Sequence, residues 1–215
     1  MTRRPPRALA AALALAAATC LTACAPLFFG GAMVGGGMVA TDRRTSGIQL
    51  EDEGIELKAN KRLSERLGDR GHVAIVSYNR QVLIAGEVAS EADRVAAAQI
   101  VGGIENVRTT INELAVMGNS SLTSRSNDAL LTTKVKSTYL DAKDVFSNAI
   151  KVYTERGTVY LMGRLTEREA ERATSLASSI SGVQKVVKLF EIITEAELAE
   201  VQPKPAPKST GEPRN

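Results

Sequence analysis

Residues 157–193, which read GTVYLMGRLTEREAERATSLASSISGVQKVVKLFEII, decide the fold of this chain. Val159, Leu161 and Gly163 alternate with other residues at the period of two that is typical of a β-strand. Thr166 and Glu169 have the Ser/Thr-x-x-Glu spacing of a capping box, which predicts that a helix begins here. The segment therefore leads from a strand through a tight turn into a helix.

The rest of the same segment predicts that helix and a second strand. Small apolar residues recur at helical spacing along one narrow face: Ala170, Ala173, Leu176, Ala177 and Ile180. Gly182 is expected to end the helix, and residues 186–193 are apolar and β-branched, as strands are. Two strands joined by a helix that crosses the sheet are normally parallel with a right-handed connection, so we expect parallel strands here.

The same pattern occurs earlier in the chain. VLIAG at 82–86 matches VYLMG at 159–163 with an offset of 77, and GIENV at 103–107 matches GVQKV at 182–186 with an offset of 79. The difference predicts two extra residues in the second copy, which we place in the turn before its helix. The chain is therefore predicted to contain two tandem copies of one domain.

Each copy extends upstream by a hairpin and a helix. Val73, Ile75 and Ser77 match Ile150, Val152 and Thr154, with turns expected at 79–80 and 156–157. A helical stripe matches in the same way, with Ile55, Ala59 and Leu63 equivalent to Leu131, Val135 and Tyr139. The predicted fold class is α+β: two tandem α-β-β-α-β domains, each a three-stranded mixed sheet with two helices on one face.

This pattern resembles the BON domain, whose mark is a strand that ends in glycine, a helix, and a Gly-Val turn into a last strand. The chain is more similar still to the double-BON lipoproteins of the bacterial outer membrane. The residues that carry the resemblance are ATD at 40–42, LTTKVK at 131–136, VYLMG at 159–163, TEREA at 166–170 and SGV at 181–183. The resemblance covers about residues 40–193. It implies a protein that binds anionic phospholipid and supports envelope integrity.

Residues 1–24 are interpreted as a lipoprotein signal peptide. Arg3, Arg4 and Arg7 precede an apolar run at 8–19 that is too short to span a bilayer, which needs about 20 residues. LTAC at 21–24 then looks like a lipobox, which implies that Cys24 carries a thioether-linked diacylglycerol and an amide-linked fatty acid such as palmitate. The alternative is an ordinary signal peptide, in which Cys24 has no role.

Loss of that segment changes the charge balance. Three of the 27 basic residues lie in it and none of the 24 acidic ones, so the remaining chain is neutral. A neutral chain argues against nucleic acid as a partner. Cys20 and Cys24 are the only cysteines, so no thiol is left for a disulfide. Ala25, in place of the Asp that retains many such lipoproteins in the inner membrane, implies the periplasmic face of the outer membrane.

Composition divides the remaining chain. Residues 25–48 form a Gly-rich apolar tether, either flexible or lying in the membrane interface, and 41–49 are polar and linker-like. We place the first domain at 49–116, a Gly/Ser/Asn linker at 117–126 and the second domain at 127–194. Residues 195–215, which end in a Pro-rich polar run, are expected to be disordered.

No residues of the sequence assemble into a catalytic, metal or cofactor site. His72 is the only histidine, and its place at the start of a predicted strand favours an ordinary surface role. No Cys/His spacing suits zinc, and no glycine-rich phosphate loop is present. We therefore expect a protein that is not an enzyme and that uses no cofactor and no metal.

The candidate binding surface is the first helix of the second domain. If Leu131 faces the core, Leu130 lies about 100° around the helix, at the edge of the core or outside it. Lys134 follows one turn later, and Ser137 and Lys136 complete the proposed lipid-binding set. The residues alone leave open whether Leu130 meets membrane or packs against the linker or the first domain, while the resemblance favours membrane. The chain contains no tryptophan, a common interfacial anchor, and in this it departs from what the resemblance to lipid-binding proteins implies.

A second function remains open: a scaffold that recruits an envelope or outer-membrane assembly protein. The same helix, a sheet edge or the uncovered face of a sheet would supply its contact surface.

Overall fold

The structure is a computed structural model that describes residues 42–201, which belong to one compact unit. The predicted signal peptide with Cys24, the tether at 25–41 and the tail at 202–215 lie outside the described residues.

Two consecutive sets of elements have the same order. The first set is α1 (Ser46–Leu67), β1 (Gly71–Tyr78), β2 (Gln81–Val88), α2 (Glu91–Gly102) and β3 (Thr109–Val116). The second is α3 (Leu122–Asp141), β4 (Ile150–Glu155), β5 (Thr158–Leu165), α4 (Glu167–Ser178) and β6 (Lys185–Ile192). A further helix, α5 (Glu195–Val201), follows.

Each sheet has three strands, and the strand that comes second in the sequence lies at its centre. β1 pairs with β2 antiparallel and β2 with β3 parallel, and β4, β5 and β6 repeat this arrangement. The predicted stripe residues of α1 and α3 are buried against one face of their sheets. The predicted α+β class, with the parallel crossover, is confirmed.

A buried aspartate on the first helix of each domain holds the hairpin turn. The carboxylate of Asp52 accepts hydrogen bonds from the backbone N–H groups of Asn79 and Arg80, both at 2.8 Å. Asp128 accepts from the N–H groups of Arg156 and Gly157 at 2.8 and 2.9 Å. Both turns have two residues at positive φ, as a tight two-residue hairpin requires.

The predicted insertion of two residues before the second-copy helix is wrong. The helix caps, Ser90 and Thr166, are 76 positions apart, so the second copy has one residue fewer there. Strands β3 and β6 also start 76 positions apart. Gly182 therefore corresponds to Asn106 rather than to Gly103, and both residues have positive φ, 102° and 68°.

Three predicted boundaries also change. Helix α3 begins at Leu122, inside the predicted linker 117–126, because the side chain of Ser121 accepts a hydrogen bond from the N–H of Ser124. Helix α1 begins at Ser46, inside the predicted tether. The start of the tail is helical rather than disordered, since α5 buries Leu198 against the domain.

The sheet faces that no helix covers pack against each other. Their apolar side chains form a cluster of Val76, Tyr78, Leu83, Ala85, Tyr160 and Met162. Polar contacts surround it, such as Lys151 of β4 with Glu56 of α1 at 2.7 Å. The uncovered sheet face that a scaffold would offer is therefore occupied by the other domain in this structure.

Residues 42–45, which we name the strap, cross to the second domain before α1 begins. Arg43 donates two hydrogen bonds of 2.7 Å to the carboxylate of Glu169 in α4, and each side chain is 4% exposed. Arg43 also donates to the backbone oxygen of Arg164. Arg44 pairs with Asp52 at 2.8 Å and lies over the ring of Tyr78. The predicted linker-like character of this segment is wrong.

Candidate functional site

Helix α3 has a fully packed inner side and an exposed outer side. Leu131, Val135 and Tyr139 are buried in the core of the second domain, and Asp128 is buried against the hairpin turn. Leu130 is 61% exposed, and Lys134, Lys136 and Ser137 are also exposed. The structure therefore brings the four predicted residues onto the solvent side of one helix. Their role in lipid binding stays a prediction.

Two further leucines share that outer side. Leu122 is 79% exposed and Leu140 69% exposed. Successive residues turn by about 100°, which puts both leucines about 80° from Leu130 around the helix, on the side away from the buried residues. We name Leu122, Leu130 and Leu140 the leucine row. Lys134 and Lys136 lie on opposite flanks of this leucine row. Sequence reasoning missed Leu122 because it placed the start of the helix too late, although the helical period would have found both leucines.

A groove of about 560 Å³ runs beside the row, between α3 and two turns of the second domain. Leu130 and Lys134 line it from the helix, together with Asn127. Arg156 of the hairpin and Ser181 of the turn before β6 line the other side. These last two residues come from distant parts of the sequence, and no pattern in the sequence pointed to them.

Gly182 allows the second turn to lie directly against the helix. Its φ is +102°, and a Cβ there would stand 2.9 Å from Cδ1 of Leu131. A side chain at this position would separate the turn from α3. The glycine therefore keeps the wall of the groove that carries Ser181 close to Leu130.

Asp128 at the base of the groove is held by the backbone of the hairpin turn. One oxygen accepts from the N–H of Arg156 and the other from the N–H of Gly157. Lys134 and Arg156 supply the positive charges of the lining. The guanidinium of Arg156 lies 3.6 Å from the buried carboxylate of Glu87 in the first domain, so Lys134 is the cation more available to a ligand.

A smaller groove of about 310 Å³ opens between the domains beside His72, which is half-buried rather than a plain surface residue. Glu155 lines this groove and accepts a hydrogen bond of 2.6 Å from the Tyr153 hydroxyl. Burial, aided by the charge of Glu87, raises the pKa of Glu155. Burial also raises the pKa of Tyr153 well above its ordinary value. The groove shows no nucleophile activated by a base.

Among residues 42–201, no group of three or more His, Cys, Asp or Glu side chains is placed to hold a metal ion. No helix among them combines the length and apolar character that crossing a bilayer requires.

The repeated fold with its strand–glycine–helix pattern defines a class of small α+β domains, and comparison with known proteins identifies that class. The family model for the BON domain matches residues 51–118 and 127–194. The chain belongs to the BON domain family and carries two copies of the domain.

Three named proteins are similar over most of their length. Outer membrane lipoprotein DolP of Haemophilus influenzae is 37% identical over 184 residues, which cover 85% of this chain and 95% of that protein. The 21 kDa hemolysin of Actinobacillus pleuropneumoniae is 30% identical over 71% of this chain and 79% of its own. Osmotically-inducible protein Y of Escherichia coli is 26% identical over 64% of this chain and 70% of its own.

Proposed function

We propose that this protein is a non-enzymatic lipoprotein on the periplasmic face of the outer membrane, where it supports envelope integrity. Its similarity to a protein named an outer membrane lipoprotein supports the location, since the match covers 95% of that protein. The LTAC sequence at 21–24 supports acylation of Cys24. Three acyl chains exceed the two membrane signals that stable anchoring takes.

The second domain, in this proposal, binds anionic phospholipid through the outer side of α3. The observation that carries the proposal is the exposed leucine row, flanked by Lys134 and Lys136, on a helix whose core contacts come entirely from its other side. Solvent exposure of three leucines does nothing for the fold. Burial of one leucine in an apolar phase is worth about 1.5–3 kcal/mol, and a lysine near an anionic surface about 1 kcal/mol.

Co-sedimentation with vesicles tests the proposal. The sample is a chain of residues 24–215 with Cys24→Ser, because acyl chains would hold any protein on a vesicle. We expect binding that rises with the fraction of phosphatidylglycerol in phosphatidylcholine vesicles and falls with salt, since screening weakens attraction between exposed charges. Binding that is absent at every phosphatidylglycerol fraction would contradict the proposal.

A scaffold for an envelope protein is the second candidate, and one observation favours it. Leu50 and Leu57 lie two turns apart on the outer side of α1, and both are more than 70% exposed. A protein partner bound there would survive detergent extraction and would crosslink to residues of α1. A lipid surface would do neither.

A further inference from the structure

The first domain has a groove at the position that corresponds to the proposed lipid site. It has a volume of about 400 Å³ and lies between α1 and the turn at Glu105 and Asn106. Its lining matches that of the second-domain groove at an offset of 76 positions: Ile55 with Leu131, Lys58 with Lys134, and Asn106 with Gly182. The two domains therefore present one groove twice, in the same place on the same fold.

The walls of the two grooves differ in charge at two equivalent positions. Glu51 on α1 corresponds to Asn127 on α3, and Glu105 in the turn corresponds to Ser181. The first-domain groove thus has two carboxylates and one lysine, and the carboxylate of Glu51 lies 3.9 Å from the guanidinium of Arg80. The second has one carboxylate, Asp128, together with Lys134 and with Arg156, which is paired with Glu87 of the first domain. The two added carboxylates, Glu51 and Glu105, therefore make the first groove the more negative one.

The hydrogen-bonding groups of the walls also make the second groove the better one for a phosphate. An asparagine amide and a serine hydroxyl can each donate a hydrogen bond to a phosphate oxygen, whereas an ionised carboxylate can only accept one. Glu51 and Glu105 would therefore repel a phosphate and offer it no donor. Gly54 also stands where the second groove has Leu130, and the apolar edge of the first groove comes instead from Leu50, one turn earlier on α1.

We propose that Asn127 and Ser181 are the residues that let the second domain accept the phosphate of an anionic phospholipid headgroup, and that Glu51 and Glu105 exclude it from the first. This inference rests on the lipid binding proposed above and adds its specificity. The headgroup phosphate lies in the groove beside Lys134, while the leucine row of α3 meets the acyl region. One chain therefore binds lipid with one of its two BON domains.

Exchange of the wall residues tests the proposal on the chain of residues 24–215 with Cys24→Ser. Asn127→Glu with Ser181→Glu should lower the affinity for phosphatidylglycerol vesicles by about fivefold for each added charge. Asn127→Gln with Ser181→Thr keeps donors without charge and should bind like the parent. Ala92→Glu with Gln99→Glu adds the same two charges on α2, away from the groove, and should have a much smaller effect.

The reverse exchange asks whether these positions are sufficient. In a chain whose α3 surface is disabled by Leu130→Glu, the triple change Glu51→Asn, Gly54→Leu and Glu105→Ser should restore binding. A Cβ at Gly54 would meet no atom within 4 Å, so the leucine should fit. Circular dichroism and melting confirm that each variant is folded. Inorganic phosphate at matched ionic strength should not compete, because the site takes a headgroup held in a bilayer.

The outcomes separate this inference from the proposed function. A parent chain that does not bind anionic vesicles overturns the proposed function and this inference together. If the parent binds but the groove pair and the α2 pair weaken binding equally, only this inference is overturned. If the triple exchange does not restore vesicle binding, the claim that the wall residues are sufficient is refuted. If inorganic phosphate competes, the groove is a site for free phosphate, and the proposal that it binds a lipid headgroup is overturned.

Discussion

Gly163 lies where a side chain has no room. It pairs with Ile150 inside the sheet, and a Cβ at this position would stand 2.6 Å from the backbone oxygen of Ala149. The close approach is therefore to the segment that leads into β4. Gly86, its equivalent in the first domain, faces the backbone of His72 and, unlike Gly163, has positive φ.

Gly163→Val should destabilise the protein, because the branched side chain forces the Ala149 backbone away. Overpacking of this kind costs about 1–3 kcal/mol of unfolding free energy. Urea unfolding measures the change. Gly118→Val is the matched control, since a Cβ at Gly118 meets no atom within 4 Å. Equal unfolding midpoints for the two variants would remove this account of the glycine.

Leu130→Glu should abolish binding to anionic vesicles and leave the melting temperature almost unchanged. The side chain is 61% exposed, so its loss costs the fold little, while the added charge is repelled by the lipid. Leu57→Glu makes the same change on the outer side of α1 and should preserve binding. If Leu130→Glu lowers the melting temperature much more than Leu57→Glu does, Leu130 supports the fold and its loss of binding says nothing about the membrane.

At the scale of elements, the strap supplies a charge that the second domain lacks. In the first domain, Asp93 of α2 pairs with Arg70 of the same domain at 3.0 Å. The equivalent residue in α4 is Glu169, and its arginine comes from residue 43, ahead of the first domain. The second domain is therefore completed by a segment that lies outside it.

Arg43→Met should cost about 3–5 kcal/mol of unfolding free energy, since it leaves the buried carboxylate of Glu169 without its partner. Arg172→Met is the matched control, on the same helix as Glu169. Arg172 and its partner Asp144 are both about half exposed, so the loss of this pair should change the unfolding free energy little. Urea unfolding of both variants checks the comparison. Equal losses would show that the strap pair is no stronger than an ordinary surface pair.

The same pair predicts a dependence of stability on pH. Burial alone raises the pKa of Glu169, but hydrogen bonds from Arg43 and from the N–H of Thr166 outweigh it and hold the pKa below the usual 4.5. A carboxyl whose pKa is lower in the folded state stabilises the protein fully above the unfolded value, and this contribution is lost as pH falls through the folded value.

Melting temperatures should therefore fall below about pH 4.5, and they should fall less steeply in a chain with both Arg43→Met and Glu169→Gln. The pKa of Glu191, which accepts hydrogen bonds from Asn79 and Arg108, is also lowered and keeps part of the acid sensitivity in that variant. Parallel curves for the parent and the double variant would contradict the role given to Glu169.

Local signals made most elements predictable. The period of two in β2 and β5, the cap at Thr166 and the two-residue turns all act within a few residues, so the sequence displays them. The predicted insertion was misplaced because the two glycines, Gly103 and Gly182, were aligned with each other. The turn before the last strand requires a residue with positive φ, and that residue need not be glycine. Asn106 meets that requirement in the first copy and Gly182 in the second.

Contacts between distant residues could not be predicted. Arg43 and Glu169 are 126 positions apart, and a polar run before a domain is typical of a linker. The exposure of Leu130 did follow from helical geometry, given that Leu131 is buried. The groove beside it did not, because Arg156 and Ser181 reach it only through the packing of two turns on α3.

At the scale of the whole molecule, the sheet faces that no helix covers pack against each other, so the helices of both domains lie on the outside. The apolar cluster between the sheets and the strap both join the domains. The leucine row of α3 and the leucine pair of α1 thus belong to one folded unit, and a measurement can compare them within the same chain.

The most direct test of the central claim measures the membrane depth of α3. Cys20 and Cys24 are the only cysteines, so a chain of residues 24–215 with Cys24→Ser accepts one spin label at Leu130→Cys or at Leu57→Cys. On phosphatidylglycerol vesicles, the label at position 130 should become accessible to oxygen dissolved in the bilayer and shielded from a water-soluble nickel complex. The label at position 57 should stay in water. A label at position 130 that remains as exposed to the nickel complex as the one at position 57 would contradict membrane binding by α3.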